Sequence, residues 1–348
     1  MITTSALTAR ITERTLHFKQ PAGTSRGVYL TRTSFFVELT QGCARGVGEC
    51  APLPDLSCDV LSGTQQYRAK LQYFCDMLCS TGCLPTELMR NYPSMLFGLE
   101  TAMLQLRAGG SHVLLDTPFA RGEEGIPING LVWMGTLEQM MARLEEKLSQ
   151  GFHCIKLKIG AIDFEKELEL IKRIRRQYTE QQVELRVDAN GGFTPANAMQ
   201  RLEMLAPYKI HSIEQPIKQH QWNEMAQICQ HSPIPVALDE ELIGVNTLAD
   251  KQRLLQTLHP QYIVLKPSLH GGMQGCDEWI RLATQLNIGS WITSALESNV
   301  GLNAIAQYCA HVYGPHIAMP QGLGTGMLFT DNVPMSLQIK GEKLWCTK

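Results

Sequence analysis

Five charged residues interrupt otherwise apolar runs at near-constant intervals. Lys158, Asp188, Glu214, Asp239 and Lys266 follow one another at steps of 30, 26, 25 and 27 residues. Each sits in or at the end of a short β-branched string: CIKLKIG, VELRVDAN, SIEQP, VALDE and YIVLKPS. Lys156 precedes Lys158 by two, so an extended strand turns both amines to one side. Three acids brought together repel unless a cation neutralises them. An all-oxygen set without His or Cys selects a hard ion, Mg2+ or alternatively Mn2+, with positions left open for substrate. A lysine crowded by a second cation and partly desolvated gives up its proton more readily, which suits it to act as a general base near neutral pH. Lys266 is expected to face that base from across the site.

Alone, none of these signals is specific. A Lys-x-Lys pair usually marks a solvated strand, and Asp188 before Ala-Asn is often a turn or helix cap. Asp239-Glu240-Glu241 reads equally well as an acidic loop start, and Glu214 before Gln215-Pro216 as a plain strand end. Their recurrence in the order Lys, Asp, Glu, Asp, Lys, one strand–helix unit per step, is the specific observation.

The elements that must position them change character along the chain. Residues 7–18, 33–41 and 44–52 read as three strands in quick succession. Helical stretches follow at about 62–80 and 93–108, the second opened by Pro93 and stopped by Gly109-Gly110. Strands followed by helices without alternation describe an α+β unit. Beyond a linker at Gly122–Gly125, strand and helix alternate: a strand at 126–135, an amphipathic helix to Gly151, then the charged strings and 290–295, with helices between. Adding 316–320 as an eighth strand, this predicts a (β/α)8 TIM-like barrel whose strand carboxyl ends form the active-site mouth. The expected division is 1–120 as an α+β capping domain and 121–324 as the catalytic barrel, with 325–348 packing back on the cap.

Composition narrows the function. The 348 residues are 44% hydrophobic and 18% charged with a net charge of −2, which excludes disorder and offers no field for nucleic acid or anionic membrane. No apolar run approaches the ~20 residues needed to span a bilayer. Eleven cysteines, an odd number without a Cys-x-x-Cys pair, argue against a disulfide framework. Cys75, Cys79 and Cys83 recur every four residues and read as buried thiols on one helix face. The opening Met1-Ile-Thr-Thr shows neither a basic segment nor a long apolar run, so a reducing cytoplasm is the expected setting. No G-x-G-x-x-G follows the first strand, which leaves a dinucleotide fold without support.

The Lys-x-Lys, Asp-x-Asn, Glu-Gln-Pro, Asp-Glu and Lys-Pro strings, taken in this order, resemble the enolase superfamily in its muconate-cycloisomerase-like branch. The resemblance covers nearly the whole chain, cap and barrel alike. It implies that Lys158 takes a proton alpha to a carboxylate, while Asp188, Glu214 and Asp239 hold the Mg2+ that stabilises the resulting enediolate; this pairing of base and magnesium is the superfamily's known chemistry. Lys156 and Lys266 complete the catalytic set. TSRGVYL, GECAPLPDLS, SALESNVGL and QGLGTGMLFTDN are most similar to the o-succinylbenzoate synthase family. That family's reaction is syn-dehydration of 2-succinyl-6-hydroxy-2,4-cyclohexadiene-1-carboxylate to 2-succinylbenzoate in menaquinone biosynthesis. By the same resemblance Arg26 lies in a capping loop over the site, where a guanidinium suits the succinyl carboxylate. Leu53, Pro54 and Leu56 form a second capping contact, and Asn190, Ser294, Ser298, Gly324 and Thr325 contact substrate. Arg26 reads equally well as an exposed loop arginine, and the serines and threonine as turn formers.

N-succinylamino-acid racemases and dipeptide epimerases share the same first ring of residues and stay open as alternatives. Gly322-Leu-Gly-Thr-Gly stands where dipeptide epimerases usually carry Asp-x-Asp, which lowers that one. A non-catalytic barrel binding small acids is the alternative of another class, separable by an assay with and without EDTA. The resemblance leaves a homo-oligomer open.

Overall fold

In the second strand, buried Phe35, Val37 and Leu39 alternate with half-buried Phe36, Glu38 and Thr40, the period of a sheet with one covered face. That strand, β2 (Gly27–Gln41), pairs antiparallel with β1 (Thr8–Thr24) and β3 (Ala44–Cys50). Gln41 lies opposite Ala44 across a tight turn in which Gly42 takes φ +61°. The computed structural model describes residues 5–24, 27–133, 135–160 and 163–347. Helices α1 (Thr64–Thr81), α2 (Thr86–Met89) and α3 (Pro93–Arg107) complete the cap. A core containing Ile11, Val37, Leu71, Phe74, Leu78 and Leu99 joins sheet to helices. α3 lies so close to β3 that a Cβ on Gly48 would run into the carbonyl of Gly98, so glycine at both positions permits the contact. α1 stops at Gly82, left-handed at φ 71°, so Cys83 lies past the helix and is exposed. Of the three cysteines expected on one buried face, Cys75 alone is buried and Cys79 is half-covered.

The second unit alternates strand and helix: β4 (Ile126–Pro127), β5 (Gly130–Val132), α4 (Leu137–Ser149), β6 (Cys154–Lys158), α5 (Phe164–Gln177), β7 (Glu184–Asp188) and α6 (Pro195–Leu205). It continues through β8 (Ser212–Glu214), α7 (Trp222–His231), β9 (Val236–Leu238), α8 (Leu248–Leu258), β10 (Tyr262–Leu265), α9 (Gly272–Gln285), β11 (Gly289–Ile292) and α10 (Asn299–Tyr313). β5 to β11 form one parallel seven-stranded sheet in chain order. In α5, Leu168, Ile171 and Ile174 face inward while Arg173 and Arg176 are exposed.

Two expectations are corrected here. The string 126–135 is not one strand: Ile126 and Pro127 pair with β13 (Lys343–Cys346), which itself pairs with β12 (Leu337–Lys340), and only Gly130–Val132 enters the barrel. The eighth position is taken by Gln321 and Gly322 rather than 316–320. Gly322 bridges Thr293 beside β11 and Gln321 bridges Ile128 beside β5, which closes the ring. The Gln321 side chain substitutes for missing ladder: its Oε1 accepts from the Ile292 amide at 2.7 Å, and its amide donates to the Met319 carbonyl at 2.7 Å. The tail divides. Residues 328–330 run along β1, with Phe18 bridging Phe329, whereas the β12–β13 hairpin packs beside the start of the barrel.

Candidate active site

Strand register carries the spacing into space. Lys158 is level with Asp188, and Asp188 with Glu214, across β6, β7 and β8. Glu214 is level with Ala237, which places Asp239 two residues farther toward the carboxyl end, and Lys266 directly follows β10. All lie at the mouth end of the barrel. Asp188 and Asp239 are fully buried and Glu214 is 2% exposed.

Charges at that depth must be paired. Lys156 Nζ lies 2.9 Å from Asp188 Oδ2 and 2.5 Å from Glu214 Oε2. Lys158 Nζ lies 2.6 Å from Asp188 Oδ2 and donates to Asn190 Oδ1 at 2.8 Å; Lys266 pairs with Asp239. Burial works against the charged form of Lys156, but Asp188 and Glu214 outweigh it and hold its proton more tightly than in water. Its neighbouring acids, not Lys158, therefore decide the proton affinity of Lys156. Burial likewise opposes the charge on Lys266, and Asp239 and Glu214 again raise it. Asp188 resists burial because Lys156 and Lys158 keep its carboxyl well below the carboxylate range. Burial and the nearby Asp188 push Glu214 upward, with Asp239 adding to the rise.

The donor set fits a hard divalent cation. Glu214 Oε1 and Asp239 Oδ1 are buried carboxylate oxygens that accept no hydrogen bond among the described residues. No three acidic, imidazole or thiol groups stand at metal-holding distances among the described residues; the acids are turned onto the lysines.

Above the acids, Lys156, Lys158, Lys266 and Asn190 line a cavity of about 690 Å3. The capping unit roofs it with Phe18, Tyr29, Leu53 and Leu56. Ser294, Gly324 and Thr325 form part of the wall, and the Ser294 and Thr325 hydroxyls bond each other at 2.6 Å. Ser298 does not reach it: the buried hydroxyl donates to Glu49 Oε2 at 2.5 Å and accepts from the Val300 amide as the N-cap of α10. Pro54 is exposed beside the roof, and Arg26 lies outside the described residues.

Gln215 and His270 were missed as positioning groups by the sequence reading, which gave Asn190 only as a substrate contact. Gln215 is fully buried; its Oε1 accepts the amides of Asp239 and Glu241, each at 3.2 Å, and so fixes the backbone that carries one acid. Asn190, held at φ 43°, donates to Glu240 at 2.9 Å while orienting Lys158. His270 accepts the Lys266 amide on Nδ1 at 2.9 Å, and burial lowers it to about 3, so it stays neutral. The only advance signal for Gln215 was its place between Glu214 and Pro216.

The roof loop is anchored by Asp59, which accepts from the Ser94 amide at 2.9 Å and the Ser94 hydroxyl at 2.6 Å. Burial raises it from 3.8 to about 6 against those bonds. Between about pH 4 and pH 6 the folded state therefore keeps a proton that the unfolded chain has released. Stability falls as pH rises through that window and is flat above it. Relative to Asp59→Asn, the wild type is expected to lose about 2–3 kcal/mol between pH 4 and pH 6.5 in urea titrations. A pH-independent difference between the two proteins would discard the assignment.

Residues 139–334 match the family model described as enolase C-terminal domain-like, and 24–106 match the MenC N-terminal domain. The o-succinylbenzoate synthase of Desulfotalea psychrophila is 45% identical over 94% of this chain and 96% of its own length. The D-Ala-D/L-Ala epimerase of Cytophaga hutchinsonii is 28% identical over 83% of this chain and 79% of that one. The crystal structure of MenC from Desulfotalea psychrophila superposes with a TM-score of 0.82 at 41% identity, covering 98% of this chain and all of the other. A dipeptide epimerase from Enterococcus faecalis, complexed with Mg and L-Leu-L-Tyr, reaches 0.83 at 18% identity over 99% and 97% of the two chains, a likeness of fold alone.

Proposed function

Because this chain belongs to the o-succinylbenzoate synthase family of the enolase superfamily, we propose that its lysine-flanked acidic centre carries out that family's dehydration with Lys158 as the base. The protein is a carbon–oxygen lyase acting on a small carboxylate. The observation that supports this use of the site is the level register of Lys158, Asp188 and Glu214 at adjacent strand ends.

Asp188, Glu214 and Asp239 are the residues that would hold a Mg2+, and the chemistry such an ion supplies when bound is neutralisation of negative charge growing on the substrate carboxylate. Lys158 takes the proton alpha to that carboxylate. The electrons of the broken C–H bond form the new ring double bond as the C–O bond breaks. Lys158, now protonated, returns its proton to the departing hydroxide on the same face, and water leaves. Aromatisation drives the step. Asn190 holds the Lys158 amine toward the cavity, and Lys266 keeps a positive charge near the ring from the opposite wall. The capping unit supplies the upper part of the cavity lining.

No helix among the described residues is long and apolar enough to cross a membrane. All eleven cysteines are free thiols, which supports a reducing cytoplasm as the setting.

The test is an ultraviolet assay for loss of the cyclohexadiene, with and without EDTA, beside a racemase assay on N-succinyl amino acids. Dehydration that stops with EDTA and resumes with Mg2+ is expected. Racemisation alone would favour the second reading, which the two lysines on opposite walls of one cavity also accommodate. Substrate binding with no turnover of either kind would leave a non-catalytic acid-binding barrel.

A further inference from the structure

The cap meets the barrel mouth through a buried cluster of three charges. Arg32 of β2 is 3% exposed. It donates to the carbonyls of Pro52 at 2.8 Å and Ala51 at 2.5 Å, and across the interface to the Ala295 carbonyl at 3.3 Å. Glu297 lies near enough to favour its charge, accepts the Ala295 amide at 2.6 Å, and takes the hydroxyl of Ser268 from the loop after β10. Glu49 is the third member. The two loops joined in this way supply adjoining parts of the cavity lining: Leu53 and Leu56 from the cap, Ala295 and Leu296 from the barrel. Leu296 is held at φ 65°, a left-handed conformation unfavourable for a bulky side chain and stable only where the surroundings impose it.

We propose that Arg32 is a positioning residue: it sets the separation of these two walls and thereby governs how well the substrate's non-reacting tail is held. The inference rests on the dehydratase reading for its substrate, not for its geometry. One planar guanidinium with several donors in fixed directions can hold carbonyls of two loops at a set distance, which a single ammonium cannot do. Arg32 touches neither the lysines nor the acids in any of these bonds, so its effect should fall on tail binding and not on proton transfer.

The experiment compares the succinyl-bearing cyclohexadiene with its acetyl-bearing analogue in wild type and Arg32→Lys. The ratio of kcat/KM values is expected to fall about tenfold in the variant, through a higher KM for the succinyl substrate with kcat nearly unchanged. An unchanged ratio, with both substrates losing equally, would overturn the proposal, since a generally loosened fold acts on both alike. Should Arg32→Lys fail to fold, Glu297→Gln keeps the acceptor for Ala295, removes the nearby charge, and is expected to lower the ratio about threefold. Should the wild type racemise instead of dehydrating, that sinks the dehydratase reading alone; the ratio for N-succinyl against N-acetyl amino acids then tests Arg32 in the same way.

Discussion

Lys158→Ala is expected to lower kcat for cyclohexadiene loss by about four orders of magnitude, the upper range for removing a positioned general base. The fold should survive, because Asp188 keeps Lys156 at 2.9 Å and is not left as an uncompensated buried charge. Lys158→Arg is the sharper variant. A guanidinium preserves the positive charge beside Asp188 but is not deprotonated in proteins, so it can anchor the acid without serving as a base. It should be as inactive as the alanine variant. The measurement is single-turnover absorbance with excess enzyme, alongside a melting curve to establish folding. Appreciable turnover by Lys158→Arg would remove Lys158 as the base and shift attention to Lys266. Lys266→Arg offers the contrast: if its task is to hold charge near the ring, activity should fall by no more than about tenfold. An equal collapse of both arginine variants would mean that dehydration needs more from Lys266 than its positive charge.

The barrel and its acids were legible because each strand–helix unit repeats a short apolar string ending in one charge, and parallel register converts that period directly into proximity. Legibility ends where pairing depends on distant chain. Ile126 and Pro127 leave the barrel because β13, more than 200 residues later, pairs with them. Apolar pattern alone could not assign closure to Gln321 and Gly322, since a glutamine side chain supplies part of the ladder there. Ser298 illustrates a different ambiguity: a hydroxyl at a helix start suits either a ligand or an N-cap, and only the buried Glu49 beside it decides. Arg32 was overlooked because nothing in a strand sequence distinguishes an arginine facing solvent from one facing another unit. The proton affinity of Lys156 was hidden for a related reason: its lysine neighbour is visible in the string, whereas the acids that raise it come from other strands.

Glu49→Ala is expected to destabilise the folded chain by about 4 kcal/mol, a large share of the ~5–15 kcal/mol typical of a protein. The fully buried carboxylate accepts the Ser34 hydroxyl at 2.7 Å, the Ser298 amide at 2.9 Å, the Ser298 hydroxyl at 2.5 Å and the Gly301 amide at 2.9 Å. The Ser298 amide precedes α10 and the Gly301 amide belongs to its first turn, so an acid from the capping sheet meets the positive end of a barrel helix. Alanine would leave these donors facing apolar space, at roughly 1–3 kcal/mol for each that finds no other partner. It would also remove part of the negative charge near Arg32. Glu49→Gln retains an acceptor oxygen and should cost only about half as much. Urea titration checks both: the midpoint should fall, with the slope unchanged if cap and barrel still unfold together. A lower slope for Glu49→Ala would mean that the cap has come loose and that this carboxylate makes the two units one cooperative structure. A wild-type midpoint for both variants would mean that the apolar contacts between α3 and the barrel hold the cap in place without it.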